Sequence, residues 1–249
     1  MRQFDVIVLD ENTSPSDKWI PPFEDPALGW FRSSDWNKPL QSINAEWVVV
    51  THPAVKIDRD FLNNLAEVTE GFPMVDAFAP RLKFKEHFYG GLLLHGAKGF
   101  VPISENEKMR YVSASNPLIA VFSSRIIQRT GLFDLELPPK FRLVDYALRM
   151  AHAGGKMFSV PYLVTTLDND PASLVNGLYF NDKNAVAPLW EIYYKTLPAS
   201  FLLGFTLRHP TMLLKFLGID KGKKRRQFKR DKATSLSKLT ADYLKEISV

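Results

Sequence analysis

Cysteine is absent from all 249 residues, which excludes disulfides, thiolate metal sites and a cysteine nucleophile. Its absence fits a reducing compartment. No apolar run approaches the roughly 20 residues of a membrane span. The start, Met1-Arg2-Gln3-Phe4-Asp5, lacks the basic-then-apolar build of a secretory signal, so the chain reads as cytoplasmic. Histidine is scarce: of the five present, His87, His95 and His152 fall in no ligand pattern and read as ordinary surface or core residues. An excess of basic charge is found in one place alone. The net charge is +5, but 221–232, KGKKRRQFKRDK, holds eight basic residues and one acid, leaving about −2 for the rest. That balance reads against a general nucleic-acid-binding surface.

What is present is enough for one sizeable core: 45% hydrophobic and 24% charged residues describe a globular chain. Phe4 to Leu9, FDVIVL, is a β-branched apolar run followed by the turn formers 10–15, which predicts a buried strand ending in a polar loop. Pro21, Pro22 and Pro26 keep the next segment irregular, and 36–45 reads as a short helix leading to a second strand at 46–50. Asp58 caps a helix whose apolar residues Phe61, Leu62, Leu65 and Val68 recur at helical spacing. Strands are expected at 76–82, 118–122 and 158–164, a hairpin or loop at 90–101, and a helix at 141–153. Apolar strands alternating with helices indicate an α/β sheet covered on both faces. Beyond Thr166 the pattern turns helical, at 185–194, 201–217 and 236–247, so the boundary is drawn between residues 1–175 and a C-terminal helical extension, 176–249.

The order Thr130-Gly131-Leu132-Phe133-Asp134, then Val144-Asp145-Tyr146-Ala147-Leu148-Arg149, then Ala153-Gly154-Gly155 resembles the acceptor-side half of family 2 nucleotide-sugar glycosyltransferases. In that family a "GGFDE" turn, an "ED-x-D-L-x-x-R" helix and "AGY" follow one another. The donor-side half is similar too. Val8-Leu9-Asp10-Glu11-Asn12 matches "VVDDGS", Trp36-Asn37-Lys38 matches "ARN", and Ala45-Glu46-Trp47-Val48-Val49-Val50 matches the strand that leads into the metal-binding aspartates. The resemblance covers residues 4 to 167. It implies a Rossmann-like GT-A mixed sheet flanked by helices, with the donor nucleotide over the carboxyl ends of the early strands. Asp10, Glu11, Asn37 and His52 are its candidate nucleotide-binding residues, and Asp145 and Asp134 its candidate catalytic bases.

The chain departs from the family at the chemistry. The metal-binding aspartates are replaced by His52-Pro53-Ala54, which reads against the Mn or Mg the family uses, since a hard cation wants carboxylate oxygens. Arg142 and Leu143 stand at the "ED" pair, and leucine accepts no proton. Arg81, Lys83 or the His52 loop would then offset diphosphate charge. The family's first strand has no counterpart before Phe4, so a gap in the sheet beside the donor pocket is expected. Plainer roles stay open: Asp10 and Glu11 as turn residues, His52 as a structural histidine, Asp145 and Arg149 as an intrahelical ion pair.

Two readings follow from the resemblance. One is a transferase moving a sugar from a nucleoside diphosphate donor to a glycan or lipid-linked acceptor in bacterial surface polysaccharide synthesis. It would be peripheral on the inner membrane face, held to anionic lipid through 201–232, where each basic residue adds about 1 kcal/mol. The other is an inactive homologue serving as partner of an active glycosyltransferase, scaffold or glycan-binding module.

Overall fold

The computed structural model describes residues 2–10, 20–95, 99–103, 108–135 and 139–167. Glu11, the expected C-terminal helices and the polybasic run lie outside the described residues. The sheet opens with β1, Arg2–Leu9, whose six residues from Phe4 on have under a tenth of their surface exposed. Beside it runs β2, Leu28–Ser33, a strand that the irregular Pro21–Pro26 segment did not announce. The helix read at 36–45 contracts to one 3-10 turn, Pro39–Ser42, with proline at its start. Then come β3 (Ala45–Thr51), β4 (Val55–Lys56) and helix α1 (Arg59–Gly71), capped as expected by Asp58, whose side chain accepts the Phe61 N–H at 2.9 Å.

β5 (Ala77–Phe84) and β6 (His87–Tyr89) form a hairpin. A separate antiparallel pair, β7 (Leu92–His95) and β8 (Gly99–Pro102), accounts for the glycine-rich stretch. β9 (Arg110–Tyr111), β10 (Ile119–Ser123), α2 (Ser124–Thr130), α3 (Pro139–His152) and β11 (Met157–Leu167) complete the described chain. Among these residues one mixed sheet has the order β2-β1-β3-β10-β5-β11-β4, with β6 on β5 and β9 on β11. β10 runs antiparallel to both its neighbours, while β1, β2 and β3 are mutually parallel.

One sheet face packs against α1 through Phe61, Leu65 and Val68; the other takes α2 and α3 through Ile126, Val144 and Tyr146. Covering both faces is why the strands read as continuous apolar runs. The gap expected beside the donor half is not there. β1 pairs directly with β3, Val6 opposite Val49 and Ile7 opposite Val50, so β-branched residues close the sheet without an intervening strand.

Gly29 in β2 marks a tight point. A Cβ there would lie 2.1 Å from Oδ1 of Asp5, which is fully buried, and 2.4 Å from Nη1 of Arg2. Asp5 accepts the Asn44 N–H at 2.8 Å and pairs with Arg2 Nε at 3.3 Å. Gly29→Ala is expected to lower unfolding free energy by about 1–3 kcal/mol, read from urea denaturation; an unmoved midpoint would mean that Arg2 and Asp5 yield without cost.

Candidate functional site

Strand order reverses at β1. The chain steps outward from β1 to β2, then crosses back to β3 on the other side. In open α/β sheets, ligands bind outside the carboxyl ends of strands at such a switch point. The residues there are Asp10, following β1, and His52-Pro53-Ala54, following β3; Val8 opposite Thr51 fixes the two ends side by side.

Each is built into its loop. The Asp10 N–H donates to Ser33 O at 3.0 Å, and its carboxylate takes Arg32 through Nη2 and, at 3.2 Å, through Nε. Arg32 reaches it because β1 and β2 are parallel and in register, Val8 opposite Arg32. His52 donates its N–H to Leu118 O at 2.8 Å, and its ring Nδ1 accepts the Ala54 N–H at 3.1 Å. An accepting Nδ1 places the proton of the neutral ring on Nε2. The imidazole thus shapes the turn that launches β4 toward β11.

Opposite the loop, Asn116 is fully buried. Its side-chain oxygen accepts the N–H groups of Leu118 and Ile119, both at 3.0 Å, and its amide donates to Pro80 O at 3.0 Å. The Asn-Pro dipeptide signals a turn, but nothing in the sequence pointed to a partner on β5. A hard divalent cation needs several oxygen donors, and this edge offers an arginine-bound carboxylate and an imidazole whose Nδ1 already accepts an amide. Glu11, the other acid expected at this edge, lies outside the described residues. Among the described residues no three His, Asp or Glu side chains gather as a metal-holding group.

The acceptor-side turn, 131–134, is held by side chains from two directions. Tyr146 OH donates to Gly131 O at 2.9 Å, Arg149 Nη1 to Leu132 O at 3.0 Å, and Asn37 Nδ2 to Phe133 O at 3.0 Å. Asn37 Oδ1 also accepts the Phe133 N–H at 2.8 Å. Gly131 caps α2 at φ 82°, a left-handed conformation that favours glycine. Phe133 packs edge-on to Trp36 at 5.2 Å between ring centres and against Tyr146 at 4.5 Å. Burial pushes the Tyr146 phenol up, against a smaller lowering by Arg149, so the hydroxyl stays a donor.

The two candidate bases sit in different surroundings. Asp145 is 1% exposed and binds Arg149 Nε at 2.8 Å, the i,i+4 pair its spacing predicts. Asp134 is half-buried at the end of the braced turn. Asn37 joins donor-side loop to acceptor-side turn rather than facing the strand ends with both amide atoms unengaged. Arg81 donates to Pro161 O at 3.1 Å and lies 4.3 Å over the Phe88 ring, with burial lowering its pKa; Lys83 lies 5.8 Å over the same ring. Neither Arg32 nor Tyr146 was singled out in the sequence, because both act through partners remote along the chain.

The crystal structure of GalNAc-T7 with UDP, GalNAc and Mn2+ is similar to this chain with a TM-score of 0.51 at 10% identity, over 84% of this chain and 51% of that one. The chain has the GT-A fold. It spans about half the length of that GT-A structure. A mannosyltransferase of Pyrobaculum calidifontis in complex with GDP-Man and Mn2+ gives a TM-score of 0.47 at 14% identity, over 87% of this chain and 75% of that chain. No family model and no curated protein matches the chain by sequence. Among the described residues, no helix of this GT-A domain is long and apolar enough to cross a membrane.

Proposed function

We propose that the chain is a metal-independent, family 2-like glycosyltransferase that moves a sugar from a nucleoside diphosphate to a glycan or lipid-linked acceptor. The observation that carries this reading is the switch point between β1 and β3, where Asp10 and the His52 loop follow adjacent strand ends of a GT-A sheet. Arg32, already seated on Asp10, supplies positive charge where a cation would otherwise meet the diphosphate. Asp134 is the base in this reading, since it is half-buried on a turn pinned on three successive carbonyls, while Asp145 is only 1% exposed. The acceptor hydroxyl passes its proton to Asp134 as its oxygen attacks the anomeric carbon and the nucleoside diphosphate departs.

Residues 1–175 form the transferase domain in this reading, and 176–249 a helical extension. The apolar 201–217 and the basic 221–232 would hold it to anionic lipid at the inner membrane face, as suits surface polysaccharide synthesis.

A second reading, an inactive homologue acting as scaffold, partner or glycan-binding module, is favoured by the engagement of Asp10, Asn37 and His52 within the protein. Calorimetry with UDP, GDP and dTDP and their sugar conjugates, with manganese and with a chelator, separates the two. Binding that survives chelation is the expected result. Strict manganese dependence would overturn metal independence, and no binding of any conjugate would favour the second reading.

A further inference from the structure

The brace around 131–133 has a regularity that ordinary packing does not require. Three successive carbonyls, of Gly131, Leu132 and Phe133, each receive a hydrogen bond from a different side chain: Tyr146, Arg149 and Asn37. Surface turns leave most such carbonyls to water, and an extended or turning backbone offers them in diverging directions. Holding all three from outside the turn fixes both backbone dihedrals between each pair of carbonyls, and so the direction in which the next residue leaves. That residue is Asp134. The donors are themselves fixed. Arg149 is gripped by buried Asp145, Tyr146 is packed between Phe122 and Phe133, and Asn37 binds Phe133 with both ends of its amide.

We infer that Asn37, Tyr146 and Arg149 are positioning residues that aim the Asp134 carboxylate through the backbone of Gly131, Leu132 and Phe133, with Asp145 anchoring Arg149. The inference rests on the proposed role of Asp134 as base. It gives Asp145 and Asn37 work other than proton transfer and nucleotide binding. A base misaimed by a fraction of an ångström loses rate without losing donor affinity, since alignment is needed in the transition state and not for binding. The signature sought is therefore a fall in kcat at constant donor KM.

Tyr146→Phe tests this with little disturbance, because the ring that packs on Phe122 and Phe133 is kept and only the hydroxyl goes. Two measurements on the full chain are needed. Hydrogen exchange at the backbone amides of 132–135 is expected to quicken about tenfold in Tyr146→Phe and again in Asn37→Ala, whether or not the protein turns over substrate. Exchange unchanged in both variants would show that no brace exists and overturn the inference.

Turnover, with whichever nucleotide sugar binds, is expected to fall about tenfold in Tyr146→Phe with donor KM within about twofold. In the double variant with Asp134→Asn the tyrosine change is expected to cost nothing more, because a group that acts through Asp134 has nothing left to aim. Additive losses would overturn positioning while leaving Asp134 as base. Quickened exchange together with full activity of Asp134→Asn would overturn the role of Asp134, and the positioning claim with it.

Discussion

Asp134→Asn is expected to lower turnover by about 100- to 10,000-fold, the range that a positioned general base contributes. Asparagine matches aspartate in size and keeps a carbonyl oxygen, so the turn that carries it, pinned at Gly131, Leu132 and Phe133, should retain its shape. What is lost is a proton acceptor. Donor affinity should stay within about twofold, because the switch point that carries Asp10 and the His52 loop is built from β1, β2 and β3. Steady-state kinetics with the donor identified by calorimetry makes the check. A rate within about twofold of wild type would remove Asp134 from the chemistry. A donor affinity that falls along with the rate would place Asp134 in binding instead.

Arg149→Met is expected to lower the unfolding free energy by about 3–5 kcal/mol, the cost of stripping the partner from a buried charge. Asp145 is 1% exposed, and Arg149 Nε is its ion-pair partner at 2.8 Å. Methionine fills much of the arginine stem's volume, so the loss comes from the ion pair removed at the buried carboxylate and the vacated Leu132 carbonyl, not from a cavity. Urea denaturation followed by circular dichroism reads it. A midpoint that holds would show that the Arg149 pair contributes little to stability. Asp145→Asn, which loses the charge but not the hydrogen-bonding capacity, is expected to be milder.

The fold was legible wherever a run of apolar residues was closed at both ends by turn or cap chemistry. FDVIVL, the strand before His52, the Asp58 cap with its helical stripe and the α3 segment all appear within a few residues of expectation. β2 was not legible: LGWFRS buries only Gly29 fully, and its place in the sheet comes from its register with β1 rather than from its own pattern. The 36–45 segment misled because its apolar residues serve different purposes, Trp36 meeting Phe133 and Leu40 meeting the core. At the candidate site, the sequence marked the 131–134 turn and the ends of β1 and β3, and the structure places Asp10 and His52 at those two strand ends. The sequence could not tell which polar groups would face the switch point and which would be absorbed, since Asp10 meets Arg32 twenty-two residues on and Asn37 meets Phe133 ninety-six residues on.

That last contact also gives the chain a timetable. One asparagine side chain closes a span of 96 residues, across which lie α1, both hairpins and β10. So long a loop is expensive to close before its ends are already neighbours, and the single amide repays little of that cost. The clip therefore forms after the sheet has assembled and α2 and α3 have settled on it. A nascent chain shorter than Phe133 carries β1, β2, β3 and β10 but nothing for Asn37 to fasten to, so the brace arrives late, when the second half of the domain docks on the first.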